Sequence, residues 1–335
     1  MHVMKEKVFC QAQKYFSNNP VIVLGSGASV AFGLPTMWSL SEHLKTNIVI
    51  DKNTNEQWDK LIDLLDSGTD LESALQLVTL DDAISKEIII KTWELINPKD
   101  VDVFFKSLKV FDYFPLSSLI KKLFNSTVKE INIITTNYDR LAEYACEKSG
   151  NYHYTGFTNG YYRQKISDDK LKVDRKVNIW KVHGSLDWFK YEDNVLIGLS
   201  NITNIPEDLV PEIVTPGIEK YKKTHSEPYR TIIQKADNAL ASHNSYICIG
   251  YGFNDSHIQE KLVNKCIHNN SKLLIITRTL TESTKKFITE QGCKNYLAFE
   301  CANGIHTKVY SSELEHEIII KNEDLWSLDG FLKII

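Results

Sequence analysis

Short, wholly apolar runs recur along the chain, and each ends in a polar or glycine-rich turn. Val21–Leu24 (VIVL) is the first, and 131–136, 177–182, 246–250 and Lys272–Thr277 follow. Runs of this length and character fit strands buried on both faces of a parallel sheet. Between them apolar residues return at helical spacing. Val8, Phe9, Ala12, Tyr15 and Phe16 mark a helix over 3–17, and Leu141, Tyr144 and Ala145 mark another. Ile232, Ile233, Ala236 and Leu240 predict a third, Ile258, Leu262 and Cys266 a fourth, and 281–291 a fifth. A last strand is expected at 296–300. Strands alternating with helices across the first and last thirds predict an α/β fold: Rossmann-like, a mostly parallel sheet with helices on both faces.

The alternation breaks twice. Over 40–127 the apolar period is helical throughout, with Leu61, Leu64, Leu65, Leu71, Leu75, Val101, Phe104 and Phe105 on successive faces. This reads as a helical insertion of several short helices, punctuated by Pro98 and Pro115 and serving as a lid or an oligomer surface. Ser39–Glu42 has the form of a capping box, and Trp38 with Leu44 offers an apolar face. The stretch 190–230 has few periodic segments and reads as an irregular insertion. Residues 1–335 are otherwise read as a single domain.

Composition narrows the class. Of 335 residues 42% are apolar and 24% charged, with a net charge of −4, ordinary for a soluble globular protein and unlike one built to bind nucleic acid. The N-terminal stretch lacks the apolar core of a secretory signal, and no apolar run is long enough to span a bilayer. A cytoplasmic location is expected. The six cysteines form no CxxC pair and the ten histidines no HxH or HxxxH pair. No metal site, and no zinc in particular, is therefore expected.

The polar residues with chemical potential all sit at carboxyl ends of predicted strands, where open α/β sheets bind ligands. Gly25-Ser26-Gly27-Ala28-Ser29 directly follows the first strand, with Gly33 and Pro35 beyond. Such a loop suits a dinucleotide pyrophosphate held by backbone N–H groups and a helix N-terminus. An ordinary tight turn satisfies the same pattern. The third glycine of the dehydrogenase fingerprint is missing, since Val30 stands there. Gly250, Gly252 and Thr277 can complete a pocket around the adenosine half. Asn254 and Asp255 join the same turn, where helix capping also accounts for them. Asn137, Asp139 and His183 remain. They show no hydride-transfer logic, but they suit cleavage of a glycosidic bond to a good leaving group, such as the pyridinium of NAD. Asn137 would hold a ribose hydroxyl or a water. His183 would take a proton. Asp139 would accept from the carboxamide or stabilise positive charge near C1′. Capping of the following helix by Asn137 and Asp139, and a core role for His183, are the alternatives.

With these residues in hand the chain resembles the sirtuin-like superfamily. Three segments carry the resemblance: Gly25–Ser29 with Gly33 and Pro35, Thr135-Thr136-Asn137-Tyr138-Asp139, and His183-Gly184. The resemblance implies Asn137 and His183 as the catalytic pair, with Gly25, Gly27, Ala28, Ser29, Gly33 and Asp139 lining an NAD pocket. Protein deacetylases of that superfamily carry a four-cysteine zinc module and a Phe-Arg pair after the proline. This chain has no CxxC and reads Thr36-Met37-Trp38. The GLPTMW segment, the helical insertion and the GYGFND turn resemble instead the bacterial antiphage branch, which hydrolyses NAD to nicotinamide and ADP-ribose. That resemblance implies a gated effector, a homo-oligomer, and a separate sensor or HerA-type ATPase partner. An NAD-dependent protein deacylase and a non-enzymatic subunit binding NAD or ADP-ribose are the alternatives.

Overall fold

The structure is a computed structural model. It describes residues 2–49, 56–158, 162–163, 165–166, 173–191, 195–215 and 226–335. The strands are β1 Val21–Leu24, β2 Glu130–Thr135, β3 Tyr152–Tyr154, β4 Tyr162–Arg163, β5 Lys176–Lys181, β6 Gly184–Tyr191 and β7 Leu196–Leu199. They continue as β8 Leu209–Ile213, β9 Ser245–Ile249, β10 Lys272–Thr277, β11 Asn295–Ala302, β12 His306–Ser311 and β13 Ile318–Ile320. The helices are α1 His2–Phe16, α2 Gly27–Val30, α3 Met37–Asn47, α4 Glu56–Asp66, α5 Leu71–Leu77, α6 Asp82–Lys109, α7 Pro115–Phe124 and α8 Leu141–Lys148. After these come α9 Tyr229–Ser242, α10 Ser256–His268, α11 Glu282–Glu290 and α12 Leu328–Leu332.

Nine strands form one sheet in the order β13-β12-β11-β10-β9-β1-β2-β5-β3. All pairings from β11 to β3 are parallel, and the β11–β12 and β12–β13 pairings are antiparallel. Both faces of each central strand are buried, which is why the sequence shows continuous apolar runs there. Ile22, Leu24, Ile133, Ile179, Ile247 and Ile249 pack on one face with Val8, Leu119, Leu123 and Ala145 of α1, α7 and α8. Val21, Val23, Ile134, Trp180, Tyr246 and Cys248 pack on the other with Ile232, Leu240, Leu262 and Phe287 of α9, α10 and α11. The chain leaves β1 toward β2 on one side and returns to β9 on the other. This makes β1 the switch point, and the crevice opens at its carboxyl end.

Residues 37–109 build a separate core from Leu40, Leu44, Trp58, Leu61, Leu71, Leu75, Ile84 and Ile88. Several local expectations change here. Helix α3 starts earlier than the capping box at Ser39 suggested, because Thr36 Oγ1 accepts the N–H of Ser39 at 3.2 Å. Trp38 is 74% exposed and does not share the buried face of Leu44. Pro98 does not end a helix. Helix α6 runs 28 residues straight through it, held by buried polar residues beside it: Asn97 Nδ2 donates to Ile202 O at 2.9 Å, and Asp100 pairs with Arg140. The stretch read as irregular contains strands β7 and β8. With β4 and β6 they make a four-stranded antiparallel sheet, packed through Leu186, Phe189 and Leu209 on Trp93 of α6. Its burial comes from one helix far away in sequence, so no local period announced it. Beyond the strand expected at 296–300, two more strands complete the sheet edge. Among the described residues, no helix is long and apolar enough to cross a membrane.

Glycine is required where two turns meet. Gly184 has φ +84°, and a Cβ there would lie 2.2 Å from Glu212 O and 2.9 Å from Ile213 Cα. Gly33 has φ +88° with nothing within 4 Å of such a Cβ. Gly184→Ala should therefore cost at least about 2 kcal/mol, combining backbone strain with overpacking. Gly33→Ala should cost only the left-handed backbone penalty of about 1 kcal/mol. Urea denaturation of the two variants checks the contrast.

Candidate active site

The crevice is a cavity of about 450 Å³ at the carboxyl ends of β1, β2, β5, β9 and β10. Gly25, Gly27, Ser29, Asn137, Asp139, His183, Gly250, Gly252, Asn254, Asp255 and Thr277 all line it. Ala28 and Gly33 do not: Ala28 presents its N–H side to Gly250, and Gly33 is exposed in the turn after α2. The expected roles of Gly25 and Gly27 also acquire a second cause. A Cβ on Gly25 would come within 2.5 Å of Gly250 O, and one on Gly27 within 2.8 Å of Gly250 Cα. Both glycines thus let the first turn lie directly on the turn after β9, and Gly27 N donates to Gly250 O at 3.0 Å.

Asn137, Ser29 and Asp139 form a hydrogen-bonded chain. Asn137 Nδ2 donates to Gly25 O and to Ser29 Oγ, both at 2.9 Å, and Ser29 Oγ donates to Asp139 Oδ2 at 2.6 Å. Gly25 O can only accept, which fixes the orientation of the amide and leaves Asn137 Oδ1 as its acceptor toward the cavity. Asp139 is less available than its expected direct ligand role requires. Its Oδ1 accepts the N–H of Leu141 at 3.2 Å, so it works chiefly by holding Ser29 and, through it, Asn137.

The turn carrying these residues rests on buried charge. Lys181, fully buried, lies 3.0 Å from Glu143 Oε1 and donates to the carbonyl of Asp139. Arg140 donates to Asp100 and to Asn97 Oδ1, and Tyr144 OH donates to Asp100 Oδ2 at 2.6 Å. None of these supports stood out as a site residue in the sequence. A lone lysine inside the apolar run VNIWKV is a signal for one of them, because a buried ammonium needs a partner.

His183 follows β5 and precedes the left-handed Gly184. Its Nε2 lies 3.0 Å from Asp255 Oδ2, while Asp255 Oδ1 accepts the N–H of Ile258 at 3.3 Å. Asp255 is therefore both the helix cap that the sequence allowed and the carboxylate that lies beside the imidazole. Nε2 and Oδ2 are close enough for ion pairing once the imidazole is protonated. Asn254 is exposed and accepts from Ser283 Oγ at 3.0 Å, and Thr277 Oγ1 donates to Thr279 O at 3.1 Å. The helical insertion completes the wall with Met37, Leu40, Glu72 and Ile96.

Fold and site together define an α/β protein with a polar crevice at the switch point of a mostly parallel sheet. Residues 131–294 match the SIR2-like domain family, a span that includes Asn137, Asp139, His183 and Asp255 and leaves out the Gly25 loop and the helical insertion. Among solved structures, one concerned with the mechanism and regulation of Sir2 enzymes is 14% identical, covering 83% of this chain and 89% of its own, with a TM-score of 0.44. A Sir2 homologue–NAD complex is likewise 14% identical, covering 88% of this chain and 87% of its own, with a TM-score of 0.42. No curated protein matches the chain.

Burial pushes the Asp139 carboxyl up to about 6, against the opposing pull of Lys181 and the Ser29 hydrogen bond. A folded-state pKa above the unfolded 3.8 means the fold binds the proton more tightly, so this residue's contribution falls as pH rises through 4 to 6. Between pH 5 and pH 8 the loss amounts to about 1.4 kcal/mol. In Asp139→Asn that part of the pH dependence should vanish, so the variant loses less stability than wild type from pH 5 to pH 8. Urea denaturation at the two pH values measures the difference.

Proposed function

We propose that this protein is an NAD glycohydrolase, cleaving NAD to nicotinamide and ADP-ribose. The observation that carries the reading is the convergence, in one cavity, of an oriented amide acceptor and a carboxylate-paired histidine on the glycine turn at the switch point. The pyridinium leaves without needing an acid, so the protein has three tasks: to hold the ribose, to favour the oxocarbenium-like transition state, and to deprotonate the acceptor. Asn137 Oδ1 takes a hydrogen bond from a ribose hydroxyl or the attacking water. His183 takes the proton, and Asp255 stabilises the imidazolium that results. The Gly25–Ser29 turn and the N-terminus of α2 face the pyrophosphate.

Protein deacylation is the second reading. The missing CxxC pairs and the Thr36-Met37-Trp38 sequence favour hydrolysis over it. The antiphage role, gating by a sensor or HerA-type ATPase, and assembly into a homo-oligomer belong to the same proposal, on the sequence resemblance.

Incubation with NAD, alone and with the product of the neighbouring gene, should release nicotinamide and ADP-ribose in equal amounts. Asn137→Ala and His183→Ala should each lower the rate by ~10²–10⁴-fold, the range of a well-placed general base. Turnover that survives both substitutions, or release of an acylated ADP-ribose from an acyl-lysine peptide, would count against the assignment.

A further inference from the structure

Asn137 and His183 follow neighbouring strands, but the ladder between those strands stops short of both. The last paired residues of β2 and β5 are Thr135 and Lys181. Val182 N still reaches Thr135 O at 3.2 Å, and beyond it the two chains part. The Asn137 amide is fixed from one side, by Gly25 O and Ser29 Oγ. His183 is fixed from another, where Val214 N donates to its carbonyl at 2.8 Å and Gly184 pairs with Ile213 of β8. The β2–β5 ladder alone therefore does not set the spacing of amide and imidazole.

Tyr138 spans the gap. It follows Asn137 directly and lines the cavity. Its main-chain carbonyl accepts the N–H of Leu186 in β6 at 3.0 Å, and its hydroxyl donates to Val214 O at 2.7 Å. Val214 thus holds His183 by its N–H and the neighbour of Asn137 by its carbonyl. Between these two anchors the tyrosine ring packs against the cluster of Trp93, Leu186, Phe189 and Leu209. An aromatic body with a polar tip suits a side chain that is apolar along its length and bonded at its end. The small sheet has its own ladder, with Phe189, Lys190 and Tyr191 paired to Pro211, Val210 and Leu209. The hydroxyl contributes nothing to that pairing.

We propose that Tyr138 is a positioning residue, whose hydroxyl sets the distance between Asn137 and His183 by clamping the Val214 carbonyl. The inference rests on the glycohydrolase reading above and adds to it the residue that fixes the geometry of the pair. Without the hydroxyl, Asn137 keeps its bonds to Gly25 and Ser29, while Val214 and the His183 main chain behind it are free to move. Misplacement of a reacting group is felt in the chemical step, so the clamp acts on kcat.

The test uses Tyr138→Phe, which keeps the ring and the main-chain carbonyl. Nicotinamide release from NAD should show kcat lowered about tenfold, with the affinity for ADP-ribose, measured by calorimetry, unchanged. In a His183→Ala background the same substitution should change turnover by less than about twofold, because the two residues act as one unit. Amide hydrogen exchange gives a readout independent of activity: the Val214 N–H should exchange about tenfold faster in Tyr138→Phe, with β1 and β9 unchanged. Unchanged exchange at Val214, or equal losses of turnover with and without His183, would overturn the inference and leave the glycohydrolase reading intact. Faster exchange throughout the sheet, with weaker ADP-ribose binding, would overturn it as well and make Tyr138 a general support of the fold. A wild type that releases no nicotinamide, alone or with the neighbouring gene's product, would bring down the glycohydrolase reading itself.

Discussion

Two turns touch backbone to backbone, and the site depends on that contact. The chain's strand order reverses at β1, so the turn after β1 and the turn after β9 must share one crevice. Any side chain between them would hold them apart: a Cβ at Gly25, Gly27 or Gly250 would come within 3 Å of the opposing backbone. With glycine at all three, Gly27 N reaches Gly250 O and Gly250 N reaches Ile276 O, joining the ends of β1, β9 and β10. This fixes the start of α2 and with it Ser29. Ser29 in turn holds Asn137 and Asp139 from the neighbouring strand. The glycines therefore serve the protein's own close packing first, and the same absence of side chains leaves the crevice open to a ligand.

The turn after β2 needs a different support. The ladder between β2 and β5 ends at Thr135 and Lys181, and beyond it the turn 137–140 keeps one strand contact, Leu186 N of β6 donating to Tyr138 O at 3.0 Å. Buried charge adds to that support. Each of Lys181, Glu143, Arg140 and Asp100 would be costly to bury alone, and each is matched by another within the group. The pairing also ties together parts distant in sequence. Asp100 and Asn97 belong to α6, Asn201 to the stretch before β8, and Arg140 to the turn beside Asn137. A displacement of α6 must either break the Arg140–Asp100 pair or carry the turn that bears Asn137 with it.

These layers were unequally legible in the sequence. The central strands announced themselves because both faces are buried, and the strand-end positions of Asn137, Asp139 and His183 could be read from the same runs. Residues whose meaning depends on a distant partner were harder. Asp255 looked like a helix cap and is one, but its second oxygen faces His183, which no local pattern could report. Pro98 looked like a stop, yet tertiary hydrogen bonds on either side carry α6 through it. Glu72 resembled any solvated glutamate in the first turn of a short helix. Its place in the cavity follows from the folding of the insertion as a whole.

That insertion is at once wall and separable body. Its own core, from Leu40 to Ile88, means that it buries most of its apolar surface without the sheet. It nevertheless supplies Met37, Leu40 and Glu72 to the cavity, opposite the strand ends. Helix α6 bridges the two regimes. Ile84 and Ile88 belong to the insertion's core, whereas Asn97 and Asp100 are bonded to Arg140 in the turn beside Asn137. Pro98 lies between Asn97 and Asp100 and lacks the N–H for one helical hydrogen bond, the one that would reach back to Glu94 O. The insertion is joined to the site through this helix, whose Asn97 and Asp100 are bonded to Ile202 and Arg140. The wall that carries Glu72 thus stands on a core of its own, while Asn137 and His183 are held at the strand ends.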